Sequence, residues 1–218
     1  MDHGVPRLGI PAYMHLVETN TAVASTCLAP GKCSVNYPGP TGLGATFNRT
    51  VWRRKGELMG DEIRAFNNLR WYRATGDAPH SLIGLNGYGP NINIAVSVLP
   101  RPPPRLESHR GLQCLFLSNS PPPLTPPPPN PQTRQRDPRF GRTSELPGED
   151  PFLSGTYARE MVRGGQGLDA YESGKSKHLK MTLGLKHYDL YSVEVDRPSF
   201  IPNVTAQDLW ETYLAQYR

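Results

Sequence analysis

Between residues 95 and 135 the chain carries twelve of its 24 prolines, among them the runs Pro102-Pro103-Pro104, Pro121-Pro122-Pro123 and Pro126-Pro127-Pro128-Pro129. Proline locks φ and has no backbone N–H, so neither a helix nor a central strand can pass through such runs. Polyproline II or unfolded chain is expected there. Whatever folds must therefore be assembled from two separate pieces, residues 1–94 and residues 136–218. The stretch itself has two readings. PxxP-type sequence docks into the aromatic-lined grooves of SH3-like or WW-like partners. The other reading, which continuity of sequence across the stretch favours, is an unfolded insertion with no partner.

The same stretch distorts the charge balance. It holds Arg101, Arg105, Arg110 and Arg134 against the single acid Glu107, which is +3 of the net +5. The remainder is nearly neutral and has no basic stripe interleaved with aromatics, so no nucleic-acid partner is expected. No run approaches ~18 consecutive apolar residues, so no membrane-spanning helix is expected. The opening residues Met1-Asp2-His3-Gly4-Val5-Pro6 lack the basic start and apolar core of a signal peptide. Two glycosylation sequons, Asn48-Arg49-Thr50 and Asn203-Val204-Thr205, suit a secreted protein only if a leader is supplied upstream. Of the three cysteines, Cys27 and Cys33 either close a short loop under oxidising conditions or stand as free thiols, and Cys114 lies in the Pro-rich stretch. No ligand-spaced His/Cys cluster exists, so neither a metal nor a cofactor is expected.

Hydrophobic spacing places the regular elements. Residues 5–15 form a short apolar segment. Asn48 is a good N-cap for a helix in which Val51, Trp52, Leu58, Met59, Ile63 and Phe66 make a buried stripe opposite Arg53, Arg54, Glu57, Asp61 and Arg64. A short buried strand is read around Ile83-Gly84-Leu85 and Ile92-Asn93-Ile94, with Gly87-Tyr88-Gly89-Pro90 as a turn and Asn91 and Asn93 at the exit. A helix over 155–163 buries Tyr157, Ala158, Met161 and Val162 and ends at Gly164-Gly165. A strand over 179–185 follows, then a helix from Ala206 with Thr205 and Asp208 as a capping box and Leu209, Tyr213 and Tyr217 on one face. Strand and helix alternate three times, the pattern of a parallel α/β sheet or barrel.

One run is far more specific. Residues 136–151 read RDPRFGRTSELPGEDP. This resembles the signature of glycoside hydrolase family 3, RDPRWGR followed by E-x-x-G-E-D-P, with Phe140 in place of the usual Trp. In that family the run follows a strand ending in P-N-x-N-I, which Pro90-Asn91-Ile92-Asn93-Ile94 matches. One linking residue is typical where residues 95–135 intervene here, and excising them restores a continuous pattern, as a retained intron would. The segments Phe47-Asn48-Arg49-Thr50-Val51-Trp52 and Glu62-Ile63-Arg64-Ala65-Phe66-Asn67 resemble the helix after the second family strand. Gly184-Leu185-Lys186-His187-Tyr188 resembles the family K-H-Y/F strand end, and Asp208-Leu209-Trp210-Glu211-Thr212-Tyr213 the helix beyond it.

The resemblance, nearest to the β-xylosidase-like branch, implies roughly the first half of a (β/α)8 TIM-type barrel, in residues 1–94 and 136–218 around the insertion at 95–135. It implies a retaining enzyme for terminal β-linked xylosyl or glucosyl units, with extracellular or secretory-pathway relatives. Such an enzyme needs two carboxyl groups about 5–5.5 Å apart. The resemblance places both beyond Arg218, so no catalytic residue is assigned, the isolated chain is expected to be inactive, and its missing partner is the C-terminal part of the enzyme. What remains is half a sugar site for a β-linked oligosaccharide or glycoside. Arg142, Lys186 and His187 would meet sugar hydroxyls, Glu18 would hold a distal hydroxyl, and Glu145 would orient the Arg and the Lys. Thr21-Ala22 stand where the family commonly follows the Glu18 carboxylate with His-Gly. The alternative is a non-catalytic carbohydrate-binding remnant or a Pro-rich interaction fragment. Asp137, Glu149 and Asp150 are expected to fix loops, and His80 and His178 to lie at the surface.

Overall fold

The structure, a computed structural model, describes residues 5–10, 12–25, 27–29, 31–68, 81–95, 140–194, 197–199 and 204–218. The Pro-rich stretch beyond Ala95, Cys114, His80, Asp137 and Asn203 lie outside the described residues, as do the first four residues of the signature run.

The described elements in chain order are β1 (Ala12–Met14), β2 (Val17–Glu18), β3 (Cys27–Ala29), β4 (Lys32–Cys33), α1 (Pro40–Gly44), α2 (Arg49–Asn68), β5 (Ser81–Ile83), β6 (Asn86–Asn91), α3 (Pro151–Gln166), α4 (Leu168–Glu172), β7 (Thr182–Lys186) and α5 (Ala206–Asp208). β1 pairs with β5 in parallel, Ala12 opposite Ser81. β2, β6 and β7 form a parallel sheet in that order, with Val17 opposite Gly87 and Gly87 opposite Leu183. The two ladders continue one another. Between them the β5–β6 side spends one residue more than the β1–β2 side, at Gly84-Leu85, where Gly84 N–H donates to Met14 O and Leu85 N–H to the Tyr13 hydroxyl. Parallel strands joined by helices give an α/β architecture whose strand C-termini all face one way. β3 and β4 are a separate small hairpin, closed by a disulfide between Cys27 and Cys33.

The segment Gly87-Tyr88-Gly89-Pro90 is not a turn. It lies within β6, the central strand of its sheet. Proline is excluded from a central strand because it cannot donate to the ladder. Here the pairing with β2 stops at Tyr88, and the register to β7 slips between Tyr88 and Asn91, so Pro90 falls where no ladder bond is required of it. At Gly87 the side-chain ends of Met181, Leu183 and Thr19 close over the backbone and would have to move for a methyl there.

α2 starts as expected. Asn48 Oδ1 accepts from Thr50 N–H (3.0 Å) and Val51 N–H (3.2 Å). The buried stripe is shifted, however. Trp52, Met59 and Ile63 are buried, but Val51 and Leu58 are exposed, and Lys55, Gly56 and Gly60 take their place inside. The reason lies in α3. Its expected end, Gly164-Gly165, is helical and buried, and the helix runs from Pro151 to Gln166 before Gly167 stops it at φ 65°. A Cβ on Gly56 would meet Met161 O and Gly165 N, one on Gly60 would meet Gly165 O, and one on Gly164 would meet Arg53 O. The two helices thus touch backbone to backbone, which turns the glycine edge of α2 inward and Val51 and Leu58 outward. The Trp52 and Tyr157 rings meet edge-on beside this contact, centroids 5.6 Å apart. Trp52 donates its Nε1–H to Leu43 O at 2.6 Å, so the buried indole keeps a partner.

α3 begins at Pro151, earlier than the hydrophobic spacing suggested, because Asp150 is its cap, accepting from Phe152 N–H and Leu153 N–H. The last strand is Thr182–Lys186. After it, Thr205 caps a helical segment by accepting from Asp208 N–H (3.1 Å), and Tyr213 is buried behind it.

Candidate sugar-binding site

The C-terminal ends of β2, β6 and β7 bring Glu18, Asn91 and Lys186 to one edge of the sheet, the edge on which α/β proteins carry their sites. The loop that enters α3 supplies Arg142 and Glu145. With His187, which follows Lys186, all five residues singled out in the sequence meet here.

They form two charged arms. In the first, Lys186 Nζ donates to Glu18 Oε2 at 2.5 Å, while Glu18 Oε1 accepts from Thr19 N–H (3.1 Å) and Asn20 N–H (2.9 Å). A carboxylate has about four acceptor positions, so three donors leave one for a ligand hydroxyl, and the Glu18 side chain remains 38% exposed. In the second arm Arg142 makes a two-pronged contact with Glu145: Nε donates to Oε1 at 2.8 Å and Nη2 to Oε2 at 2.6 Å. A 3-10 turn over Thr143–Glu145 sets that spacing. Glu145 therefore orients the arginine, whereas the lysine is oriented by Glu18. Asn91 Nδ2 donates to Glu145 Oε2 at 2.7 Å and ties the second arm to the sheet. The hydrogen bond from Arg142 holds the Glu145 carboxyl below the usual glutamate range, against its partial burial and with the charges of Arg142, Lys186 and His187 adding. The same bond raises the Arg142 guanidinium. The Arg142–Glu145 arm is thus ionised at neutral pH.

His187 stands beside them in a defined tautomer. Asn93 donates its Nδ2–H to Tyr191 O (2.9 Å), which turns Asn93 Oδ1 toward His187. That oxygen accepts from His187 N–H at 3.3 Å and faces Nδ1 at 3.2 Å. Nδ1 therefore carries the hydrogen and Nε2 keeps its lone pair. Burial, then the charges of Arg142 and Lys186, push the imidazole down to about 4, so it is neutral at neutral pH. Tyr191 braces the cluster: its ring meets His187 edge-on at 4.7 Å and Phe140 at 5.2 Å, and its hydroxyl accepts from Arg142 Nη1 and Arg197 Nη1, each at 3.2 Å.

Such a surface offers two cations, two carboxylates and an imidazole lone pair, partly shielded from water. It suits a polyhydroxylated ligand, whose hydroxyls both donate and accept. Among the described residues no group of three His, Cys, Asp or Glu side chains could hold a metal ion, and no helix is long and apolar enough to cross a membrane. His178 is exposed, and Asp150 caps α3. Asn20, Asn91, Asn93 and Tyr191 were not singled out as site residues in the sequence. Only the alternation of Asn91 and Asn93 among isoleucines hinted at a polar strand end.

No family model matches the chain. Individual relatives do. The chain is 30% identical over 225 residues to β-D-xylosidase 1 of Arabidopsis thaliana, covering 98% of this chain and 22% of that protein. It is 28% identical over 225 residues to an exo-1,4-β-xylosidase of Emericella nidulans, again 22% of the relative and 99% of this chain. Among solved structures, a family 3 exo-β-xylosidase in complex with a xylobiose aziridine activity-based probe matches with a TM-score of 0.64 and 25% identity, over 98% of this chain and 22% of that one. The chain spans about a fifth of the length of the relatives it matches. In sequence and in fold the chain is thus similar to a portion of β-xylosidases of glycoside hydrolase family 3.

Proposed function

We propose that this chain supplies the sugar-holding part of a retaining glycoside hydrolase acting on terminal β-linked xylosyl or glucosyl units. Arg142, Lys186 and His187 hold hydroxyls of the non-reducing residue, Glu18 takes a further hydroxyl, and Glu145 fixes Arg142. The observation that carries this reading is the convergence of the Lys186–Glu18 and Arg142–Glu145 pairs, with His187 between their charges, at the C-terminal ends of three parallel strands. The named activities of the relatives support it. The nucleophile and the acid/base belong to segments outside the fifth of the family that this chain spans, and the isolated chain is inactive.

The same reading makes the fold roughly the first half of a (β/α)8 barrel, built from residues 1–94 and 136–218, with residues 95–135 inserted between them. The edge of the sheet supports it. Among the described residues β7 is paired on one edge only, by β6, and beside it lies a recess of about 470 Å³ lined by Phe152, Gly155, Val162, Leu185, Ala215 and Tyr217. A further β/α unit would cover such a surface.

The test is binding and turnover measured separately. Methyl β-D-xyloside and methyl β-D-glucoside are titrated into the chain by NMR, and an aryl β-xyloside is offered as substrate. Weak binding that shifts the His187 ring signals, without turnover, is the expected result. Turnover should arise once the remaining four-fifths of a family member is supplied as a fusion. Hydrolysis by the 218-residue chain alone would place a nucleophile within it and overturn the assignment. Saturating sugar without any shift at His187 would remove the pocket.

A further inference from the structure

Asn20 touches both charged arms of the candidate site. It is 5% exposed. Its backbone N–H donates to Glu18 Oε1 at 2.9 Å. Its side-chain Oδ1 accepts from Asn91 N–H at 3.3 Å, and its Nδ2 donates to Glu145 O at 3.3 Å. Its backbone O accepts from Lys55 Nζ at 2.7 Å. One residue thus contacts the first charged arm, the backbone of the second, and the asparagine that joins the second arm to the sheet.

The chemistry of this arrangement is costly unless it serves to hold groups in place. A carboxamide moved from water into a protein interior loses free energy unless its donors and acceptors are matched. An apolar residue after Thr19 would fill the space without that cost, but would leave Glu145 O and Asn91 N–H without the bonds Asn20 gives them. Lys55 is anomalous in the same way. It is a lysine buried at 4% exposure on α2, and its ammonium donates to two backbone carbonyls, Asn20 O and Pro38 O (3.0 Å). Its ammonium pins the loop after β2 from behind, at the residue whose side chain reaches into the site.

We propose that Asn20, anchored by Lys55, is a positioning residue that sets the distance and orientation between the Glu18–Lys186 and Arg142–Glu145 arms, and so the spacing of the sugar hydroxyls the pocket accepts. This rests on the sugar-site reading for its purpose, but not for its test. Asn20 touches no substrate; it acts through Glu145 and Asn91.

The test compares Asn20→Leu with the wild-type chain by a carbon-detected NMR titration of the Glu145 carboxyl, without ligand. Loosening the second arm weakens the Arg142–Glu145 hydrogen bonds, so the Glu145 midpoint should rise by about half a pH unit or more. Met59→Ala, a core change on α2 away from the loop, serves as the control for destabilisation alone and should leave the midpoint where it is. A folded Asn20→Leu chain with an unmoved Glu145 midpoint overturns the proposal, as does an equal shift in Met59→Ala. The wild-type chain gives a second reading that needs no variant. One Asn20 side-chain amide proton, the one directed at Glu145 O, should exchange with solvent more slowly than its geminal partner, and equal fast exchange of both overturns the proposal. A shifted midpoint in a chain that binds no methyl β-D-xyloside would uphold the positioning role and reject the sugar-site reading, which keeps the two separable.

Discussion

The contact between α2 and α3 and the cluster at the strand ends are built on opposite principles. At the helix contact the sequence removes side chains: Gly56, Gly60, Gly164 and Gly165 let two backbones meet, with the Arg53–Glu160 ion pair beside them. At the strand ends it crowds long charged and amide side chains together, and each is fixed by a partner from another element. The first region depends on shape and admits no added atom. The second depends on hydrogen-bond direction and leaves acceptor positions open to a ligand. Stability and binding are therefore expected to respond to different residues.

The sharpest way to break this contrast is at Gly60. A methyl there would overlap Gly165 O, so Gly60→Ala must push the helices apart or strain them. Overpacking of this kind costs about 3 kcal/mol, read as a lowered urea midpoint. A variant as stable as the wild type would show that the helices are not in backbone contact. The counterpart in the site is Arg142→Lys. It keeps the charge and loses the two-pronged contact with Glu145. Affinity for methyl β-D-xyloside should fall about tenfold, which is about 1.4 kcal/mol, while stability changes by about 0.5 kcal/mol or less, as for partly exposed ion pairs. Equal losses in stability and affinity would dissolve the distinction.

Two bases, Lys55 behind the site loop and His187 within the site, have their ionisation opposed by burial and are lost in different pH windows. Lys55 is pushed down to about 8 by burial. Between pH 8 and the ordinary lysine range the unfolded chain binds a proton that the folded chain does not, so stability rises with pH there. His187 is pushed down to about 4 by burial and by the neighbouring cations. From the ordinary histidine range down to pH 4 the unfolded chain again binds the extra proton, so stability falls as pH falls. The pH dependence of stability, wild type minus Lys55→Met, should show the first slope alone. Wild type minus His187→Gln should show the second, with the smaller amplitude because His187 is only half-buried. Either slope of opposite sign would mean that the base is charged in the folded chain.

What the sequence disclosed followed the same division. Local patterns were legible: the Asn48 cap, the buried Tyr157, Ala158 and Met161, and the signature and strand-end motifs that hold four of the five site residues, all but Glu18. Long-range pairing was not. Glycine reads locally as punctuation, so Gly164-Gly165 suggested a helix end and Gly87 to Pro90 a turn. Both are close approaches that become visible only when a partner 80 or more residues distant, such as Leu183 for Gly87 or Arg53 for Gly164, is known. Lys55 and Asn20 carried no signal because burial of a polar side chain depends on where its acceptors arrive. Here those are carbonyls of a loop and of the turn at Glu145, which no spacing rule connects.

Asp150 stands where the two regions join, at the end of the loop that carries Arg142 and Glu145 and at the start of α3. Its side chain accepts from Phe152 N–H at 3.0 Å and Leu153 N–H at 3.2 Å, and Pro151 follows as the first helical residue. Asp150→Ala leaves two helix donors without these acceptors and should cost about 1 kcal/mol of stability. Asp150→Asn keeps an acceptor oxygen and gives up only the charge facing the helix dipole, a loss of a few tenths of a kcal/mol at an exposed terminus. If the site loop is held by its own bonds to Asn91, Asn20 and Tyr191, as the geometry indicates, neither variant should move the Glu145 midpoint or the sugar affinity. A shift of the Glu145 midpoint in Asp150→Ala would mean that the helix start, rather than the sheet, holds the second arm in place.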